Sequence, residues 1–380
     1  MFKVIRPFSI LTIIISLVAC TSSDNLEKPA PLVNFKSQIQ VEKMWSHSVG
    51  GSDKKYLNLQ IGHDHNAIYT VDYSGVIYAF NARTGLQLWE RNLNTNIISG
   101  VSVADKLAIV ASENGKVIAL NTTDGTVLWQ KNIGNQVLGL VAIGHGVVVV
   151  KTVADTVFAL QATNGQQLWT FSEVAPSLIL RAGSQPKIIG NKVVIGFADG
   201  KLRAFSLRNG NLIWQQLIAK PQGGFAIQRM VDITVEPQIR GGIVYVVTYQ
   251  GNIAAIELNS GQMIWHHQLS SYTGIALATA NLFVTDTKSH VYSFSMEDGS
   301  VAWKQTQLQA RTITAPALSA KYVIVGDAEG YIHWLSQNRG IFIARQHLSG
   351  APIRSTPVVI GNNIYVLDTH GNLAAYTMVQ

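Results

Sequence analysis

The chain holds a single cysteine, Cys20, so it cannot build an internal disulfide, a thiolate zinc cluster or a two-cysteine redox pair. Its histidines come close together twice, as His63-Asp64-His65 and His266-His267. Neither group has the spacing of a helical zinc site and both lie near turn residues, so metal ligation is not expected of them. Asp72, Asp327 and Asp368 each stand three residues before a glycine: Gly75, Gly330 and Gly371. A carboxylate in that place more often accepts the turn's own backbone N–H groups than joins an acid cluster or metal loop. Gly223-Gly224-Phe225 lacks the Lys-Ser/Thr that follows in a phosphate loop, and there is no Gly-x-Ser-x-Gly elbow. Acids scattered singly over turns define no general acid and base. An enzyme is not expected from these residues, nor is a cofactor.

Cys20 has a different chemistry available. Met1 to Pro7 carries Lys3 and Arg6, and Phe8 to Ala19 is an apolar run too short to span a bilayer, which takes about twenty helical residues. The run ends in Leu17-Val18-Ala19-Cys20, which resembles the lipobox of bacterial export signals, where cleavage leaves a diacylated N-terminal cysteine. Residues 1–19 are then a lipoprotein signal peptide, and several acyl chains on Cys20 give stable anchoring where one does not. Thr21 in place of Asp after the cysteine points to the outer membrane by the usual lipoprotein sorting pattern. Residues 20–40, with Ser, Asn, Asp, Lys and two prolines and no periodicity, read as a lipidated tether.

The elements that carry everything else repeat. Gly75-Val-Ile-Tyr-Ala-Phe-Asn-Ala-Arg-Thr-Gly85-Leu-Gln-Leu-Trp89 returns as Gly115-Lys-Val-Ile-Ala-Leu-Asn-Thr-Thr-Asp-Gly125-Thr-Val-Leu-Trp129. The leading turn position falls at Gly75, Gly115, Asp155, Gly200, Gly251, Ser289, Gly330 and Gly371, spaced by 40, 40, 45, 51, 38, 41 and 41 residues. Each unit holds four short apolar runs separated by turn signals. One such sheet cannot bury both faces until neighbours stack on it, so residues 41–380 are expected to form a single all-β domain, an eight-bladed β-propeller of four-stranded antiparallel blades. The eighth copy stops at Tyr376-Thr-Met-Val-Gln380 without its turn and Trp strand, while Met44-Trp45-Ser46-His47 has no unit before it. Residues 41–49 are therefore expected to supply the outer strand of the last blade and so close the ring without exposed edges.

Trp89, Trp129, Trp169, Trp214, Trp265 and Trp303 each follow a turn glycine by four residues, with Trp45 as the orphan. Their identical place in every unit makes them packing wedges rather than a binding array; each buries roughly 150–250 Å², on the order of 4–6 kcal/mol of gross transfer free energy. The seventh unit has Ala344 at the Trp position and Trp334 where the others have alanine, a large-for-small exchange across one layer.

Function is expected in the two enlarged units, because extra residues in a propeller appear as loops. The first holds Ala175 to Gly183, with Leu178, Leu180 and Arg181; the second holds Lys220 to Thr234, with Arg229 and Asp232. Both join the Trp strand of one blade to the inner strand of the next, so they should emerge side by side on one face. Leu178 and Leu180 either share a pleat face with Arg181 at its edge or begin an inner strand; an apolar pair rimmed by Arg, beside Asp232, suits protein binding better than a small-molecule pocket. Composition agrees in what it excludes: 47% hydrophobic against 13% charged rules out a disordered chain, and the net +7 is only +5 beyond the signal, without a basic run, so nucleic acid is not an expected partner.

The Ala-x-(Asp/Asn)-x-x-(Thr/Asn)-Gly-x-x-x-Trp repeat resembles the propeller repeats of pyrroloquinoline quinone dehydrogenases. A lipobox plus eight such units, with little else, is similar to the BamB family of outer-membrane assembly lipoproteins. Pro176-Ser-Leu-Ile-Leu-Arg181 resembles that family's Pro-Ser-Leu-x-Leu-Arg motif, and Arg229-Met-Val-Asp232-Ile-Thr234 matches its Arg-Leu-x-Asp-x-Asp motif in part, Thr234 replacing the second acid. The resemblance implies a non-enzymatic scaffold on the periplasmic side of the outer membrane. It further implies that Leu178, Leu180, Arg181 and Asp232 contact the POTRA region of BamA, with Arg181 able to pair with Asp232, and that other BAM subunits and unfolded outer-membrane proteins are further partners. The alternative is a quinone-dependent dehydrogenase, whose adjacent cysteine pair, inserts and calcium-binding set are not found here.

Overall fold

The computed structural model describes residues 27–52, 57 and 59–379. Cys20, the signal segment 1–19 and the first tether residues lie outside them. The described strands form eight four-stranded antiparallel sheets, one per repeat. Numbered along the chain, blades 1 to 7 span residues 62–92, 97–132, 142–172, 187–217, 238–269, 275–305 and 317–347. Blade 8 takes three strands from 358–379 and its fourth from Gln40–Ser48, which pairs antiparallel with Asn372–Val379 in a register running from Gln40 opposite Val379 to Ser48 opposite Asn372. The two ends of the chain thus close one ring and give blade 8 its full four strands.

The punctuation of the repeat is steric. Asp155 and Ser289, which stand where other blades have glycine, adopt φ of 56° and 68°, so these two blades keep the left-handed turn without a glycine. In blade 5 the turn differs from expectation: Gln250 takes the left-handed conformation, φ 48°, and Gly251 is already the first residue of strand Gly251–Glu257.

The tryptophans mark the seams between blades. Trp89 lies opposite Ala79 in its own sheet and directs its Nε1–H to the carbonyl of Thr122 in blade 2, 2.8 Å away. The same bond to the next blade is made by Trp45, Trp129, Trp169, Trp214, Trp265 and Trp303, to the carbonyls of Ala82, Ala162, Leu207, Leu258, Met296 and Gln337. Each indole also lies beneath the turn glycine three residues past that carbonyl; a Cβ on Gly125 would stand 2.5 Å from Trp89 Cε3. In blade 7 Trp334 lies opposite Ala344, so the expected exchange occurs within one cross-strand pair.

Of the segment read as a tether, residues 33–39 are packed on blade 7. Phe35 stacks on Phe342 at 5.4 Å between centroids, Arg345 donates to the carbonyl of Val33 at 3.0 Å, and Gln38 N–H donates to the carbonyl of Ile343 at 2.8 Å.

Candidate partner-binding face

The links from the outer strand of one blade to the inner strand of the next all run on one face of the ring and converge on its axis. There they surround a cavity of about 750 Å³ lined largely by these links, with Arg181, Gln185 and Glu236 among the polar groups around it. The two enlarged links, 173–186 and 218–237, stand on this face.

Their bases are pinned by buried charge. Arg203, almost fully buried in blade 4, reaches Glu173 at 2.9 Å where the first loop begins, and Asp199 at 2.7 Å, with its guanidinium 4.4 Å from the Phe197 ring centre. Burial alone would push Asp199 up, but the Arg203 guanidinium holds its carboxyl below the usual range. Lys151 and Asp155, both buried, pair at 2.5 Å, and Asp155 also accepts the N–H of Ala198. A buried guanidinium with two carboxylates is costly to separate, so the start of the loop has little freedom.

The second anchor is Asp232. Only 3% exposed, it accepts the backbone N–H of Leu180 on Oδ1 at 3.0 Å, and so ties the second loop to the tip of the first. Its Oδ2 is buried with no hydrogen-bond partner. Burial pushes its pKa up to about 6, against the Leu180 bond and with the nearby Asp155 charge adding to the rise.

These positions correct three expectations. Leu178 to Arg181 belong to no ladder: the segment is irregular and the inner strand starts only at Lys187, so the two leucines neither share a pleat face nor begin a strand. Arg181 does not pair with Asp232; its Nη2 donates to Gln136 Oε1 at 3.3 Å, near the mouth of the axial cavity. Asp232 is not a surface contact, because desolvation and the Leu180 bond have taken it inside. Leu178 is 43% exposed and Leu180 partly buried.

Two apolar side chains on the second loop were not singled out by their sequence context. Phe225 is 72% exposed and Ile227 is 61% exposed. Gly223, at φ +100°, turns the chain, and Gln228 Oε1 accepts the N–H groups of Gly224 and Phe225, which shapes the short 3₁₀ turn Ala226–Arg229 that presents both side chains. The available signal was an apolar pair inside an insertion, in Gly-Gly-Phe-Ala-Ile, where no strand pattern accounts for it. Together with Val174 and Leu178, these residues leave the face apolar at its tips, with Lys220, Arg229 and Arg181 around them. Such a surface is equipped for binding protein rather than for bond chemistry.

Residues 73–305 match the family model described as outer membrane protein assembly factor BamB. A protein of that name from Legionella pneumophila is 47% identical over 352 residues, 92% of this chain and 91% of the relative, and one from Pseudomonas aeruginosa is 44% identical over 97% of this chain and 98% of the relative. Among solved structures, BamB from Moraxella catarrhalis superposes with a TM-score of 0.82 over 89% of this chain and all of that one, at 24% identity, which speaks to the fold. On its sequence, its eight blades and these matches, the chain belongs to the outer membrane protein assembly factor BamB family.

Proposed function

We propose that the chain is a non-enzymatic scaffold subunit of the machinery that assembles β-barrel proteins into the outer membrane, held on the periplasmic side by lipids on Cys20. It docks on the POTRA region of BamA through the face that carries residues 173–181 and 220–234. The observation that carries this reading is the pairing of exposed apolar tips, Leu178, Phe225 and Ile227, with bases fixed by Arg203 and Asp232. Rigid support under apolar anchors lowers the ordering cost of association, which is what a constitutive docking surface needs. The names of the relatives, assembly factors of the outer membrane, agree with such a role. Arg181, beside the axial cavity, adds a cationic group at the rim of that surface, and the BamA surface that receives it is expected to carry acid there.

The test is purification of the lipidated chain from solubilised envelope. BamA is expected to accompany it, and the Cys20→Ala chain is expected in the soluble fraction. Absence of BamA, or dye reduction driven by alcohol after addition of quinone and calcium, contradicts the scaffold reading.

A further inference from the structure

Seven seams of the ring carry the same fastening, an indole N–H bonded to a carbonyl of the next blade and seated under its turn glycine. The seam between blades 7 and 8 lacks it, and the topology explains why. The turn that would receive the indole joins the third and fourth strands of the receiving blade. In blade 8 the fourth strand is Gln40–Ser48, so Asn372–Val379 makes no hairpin into it and there is no such turn. A tryptophan at position 344 would have neither the glycine nor the carbonyl to meet, and Ala344 stands there instead. Trp334, its displaced counterpart, is fully buried with no partner for Nε1, and the hydroxyl of Tyr376 in the same cluster is likewise buried and unbonded. These are uncompensated desolvations concentrated at one seam.

The chain's own segment 30–39 crosses blade 7 into this seam: Val33 and Phe35 pack with the cluster between blades 6 and 7, and Ile39 packs with the cluster between blades 7 and 8. It starts where Ala30 N–H donates to the carbonyl of Gln309 at 2.9 Å and Arg311 donates to the carbonyl of Ala30 at 2.9 Å. It then runs down the outer strand of blade 7, where Arg345 holds Val33 and Phe35 stacks on Phe342, to Gln38 on Ile343, and turns directly into the blade 8 strand. Gln346 of blade 7 completes the crossing by donating to the carbonyl of Val41 at 3.0 Å. Ile343, just before Ala344, is 5% exposed, whereas Leu128, just before Trp129, is 49% exposed. The two arginines that grip the segment are themselves joined: Arg345 Nε donates to His333 Nδ1 at 3.3 Å, His333 Nε2 to Asp327 at 2.9 Å, and Arg311 Nε to the same carboxylate oxygen at 2.7 Å.

We propose that residues 30–39 are a clasp that grips blade 7 through residues 30–35 and fastens the seam between blades 7 and 8 through Gln38 and Ile39 in place of the missing tryptophan bond, and that this is the seam at which the ring first opens once the clasp is released. The segment also lies between the ring and Cys20, so a pull on the anchored end would reach the clasp before any blade.

Hydrogen exchange read by mass spectrometry on the full chain tests this. Ile39→Ala should raise exchange by about tenfold in 317–347, 358–379 and 40–48, leaving blades 2 to 4 unchanged, while Trp129→Phe should raise it in blades 2 and 3 instead. An Ile39→Ala chain that exchanges as the unaltered protein does, or faster evenly around the ring, overturns the proposal. If Ile39→Ala does not accumulate folded, the unaltered chain in rising denaturant decides: amides of blades 7 and 8 must open first, and uniform opening contradicts the clasp.

Discussion

Leu180 gives its backbone N–H to Oδ1 of Asp232, fifty-two residues away, and this bond joins the two enlarged loops of the propeller. The carboxylate is inside the protein and its second oxygen has no partner, so the charge that makes the bond strong is also held at a cost.

A pH dependence follows. The folded pKa of Asp232, about 6, lies above the usual 3.8, so the folded state binds the proton more tightly than the unfolded chain does. The resulting stabilisation is fully present below about 3.8 and is lost as pH rises through about 6, amounting to about 3 kcal/mol from the pKa difference. Asp232→Asn keeps an acceptor for Leu180 without the charge. Denaturant midpoints should therefore be higher for Asp232→Asn than for the unaltered chain at pH 7.5, and the gap should close toward pH 4. A constant gap over that range contradicts the assignment.

The tryptophan seams should separate packing from hydrogen bonding. Trp129→Ala removes both and is expected to cost about 3–5 kcal/mol in denaturant unfolding. Trp129→Phe keeps most of the ring but leaves the Ala162 carbonyl unbonded, at about 1–3 kcal/mol. Equal losses for the two would mean that the wedge volume contributes nothing.

The turn glycines can be tested from the other side of the same seam. Gly125 combines φ +69° with a Cβ position 2.5 Å from Trp89, so Gly125→Ala should destabilise by about 1–3 kcal/mol. Gly146 is also left-handed, at φ +76°, but a Cβ there meets nothing within 4 Å. Gly146→Ala should accordingly lose less, only the backbone share, by the same unfolding measurement.

Much of this could be read from sequence because the punctuation of a blade is local. A glycine or left-handed Asp at the turn and a Trp four residues beyond the next glycine fix the count of blades, and the unmatched Trp45 and truncated last repeat fix the closure. Relationships made by side chains across the ring were not legible. The grip of Arg345 on Val33 spans 312 positions, and nothing in the unpatterned segment 27–39 signals a partner. Asp232 could be placed beside the first loop from the repeat alone, but whether it faced solvent or the Leu180 amide depends on the fold of two irregular loops, and Arg181 went to Gln136 for the same reason. Gln250 takes the turn in blade 5 although Gly251 stands four residues before Ala255, as Gly75 does before Ala79, so the repeat itself carries no sign of the change.

The exposed tips should matter for association and not for stability. Phe225→Ala and Ile227→Ser are expected to leave the unfolding midpoint within about 0.5 kcal/mol, since both side chains are largely in solvent. Each should weaken capture of BamA by about tenfold or more if it anchors in a pocket of the partner. Loss of stability without loss of capture would place these residues in folding instead.

The most direct measurement is the affinity of the chain for the purified periplasmic region of BamA, with Leu180→Asp combined with Arg181→Glu as the variant. Arg181 and Leu180 lie at the meeting point of both loops and the axial cavity, so the double variant should abolish measurable binding while circular dichroism and the unfolding midpoint stay close to those of the unaltered chain. Binding that survives in a folded double variant would contradict docking through this face.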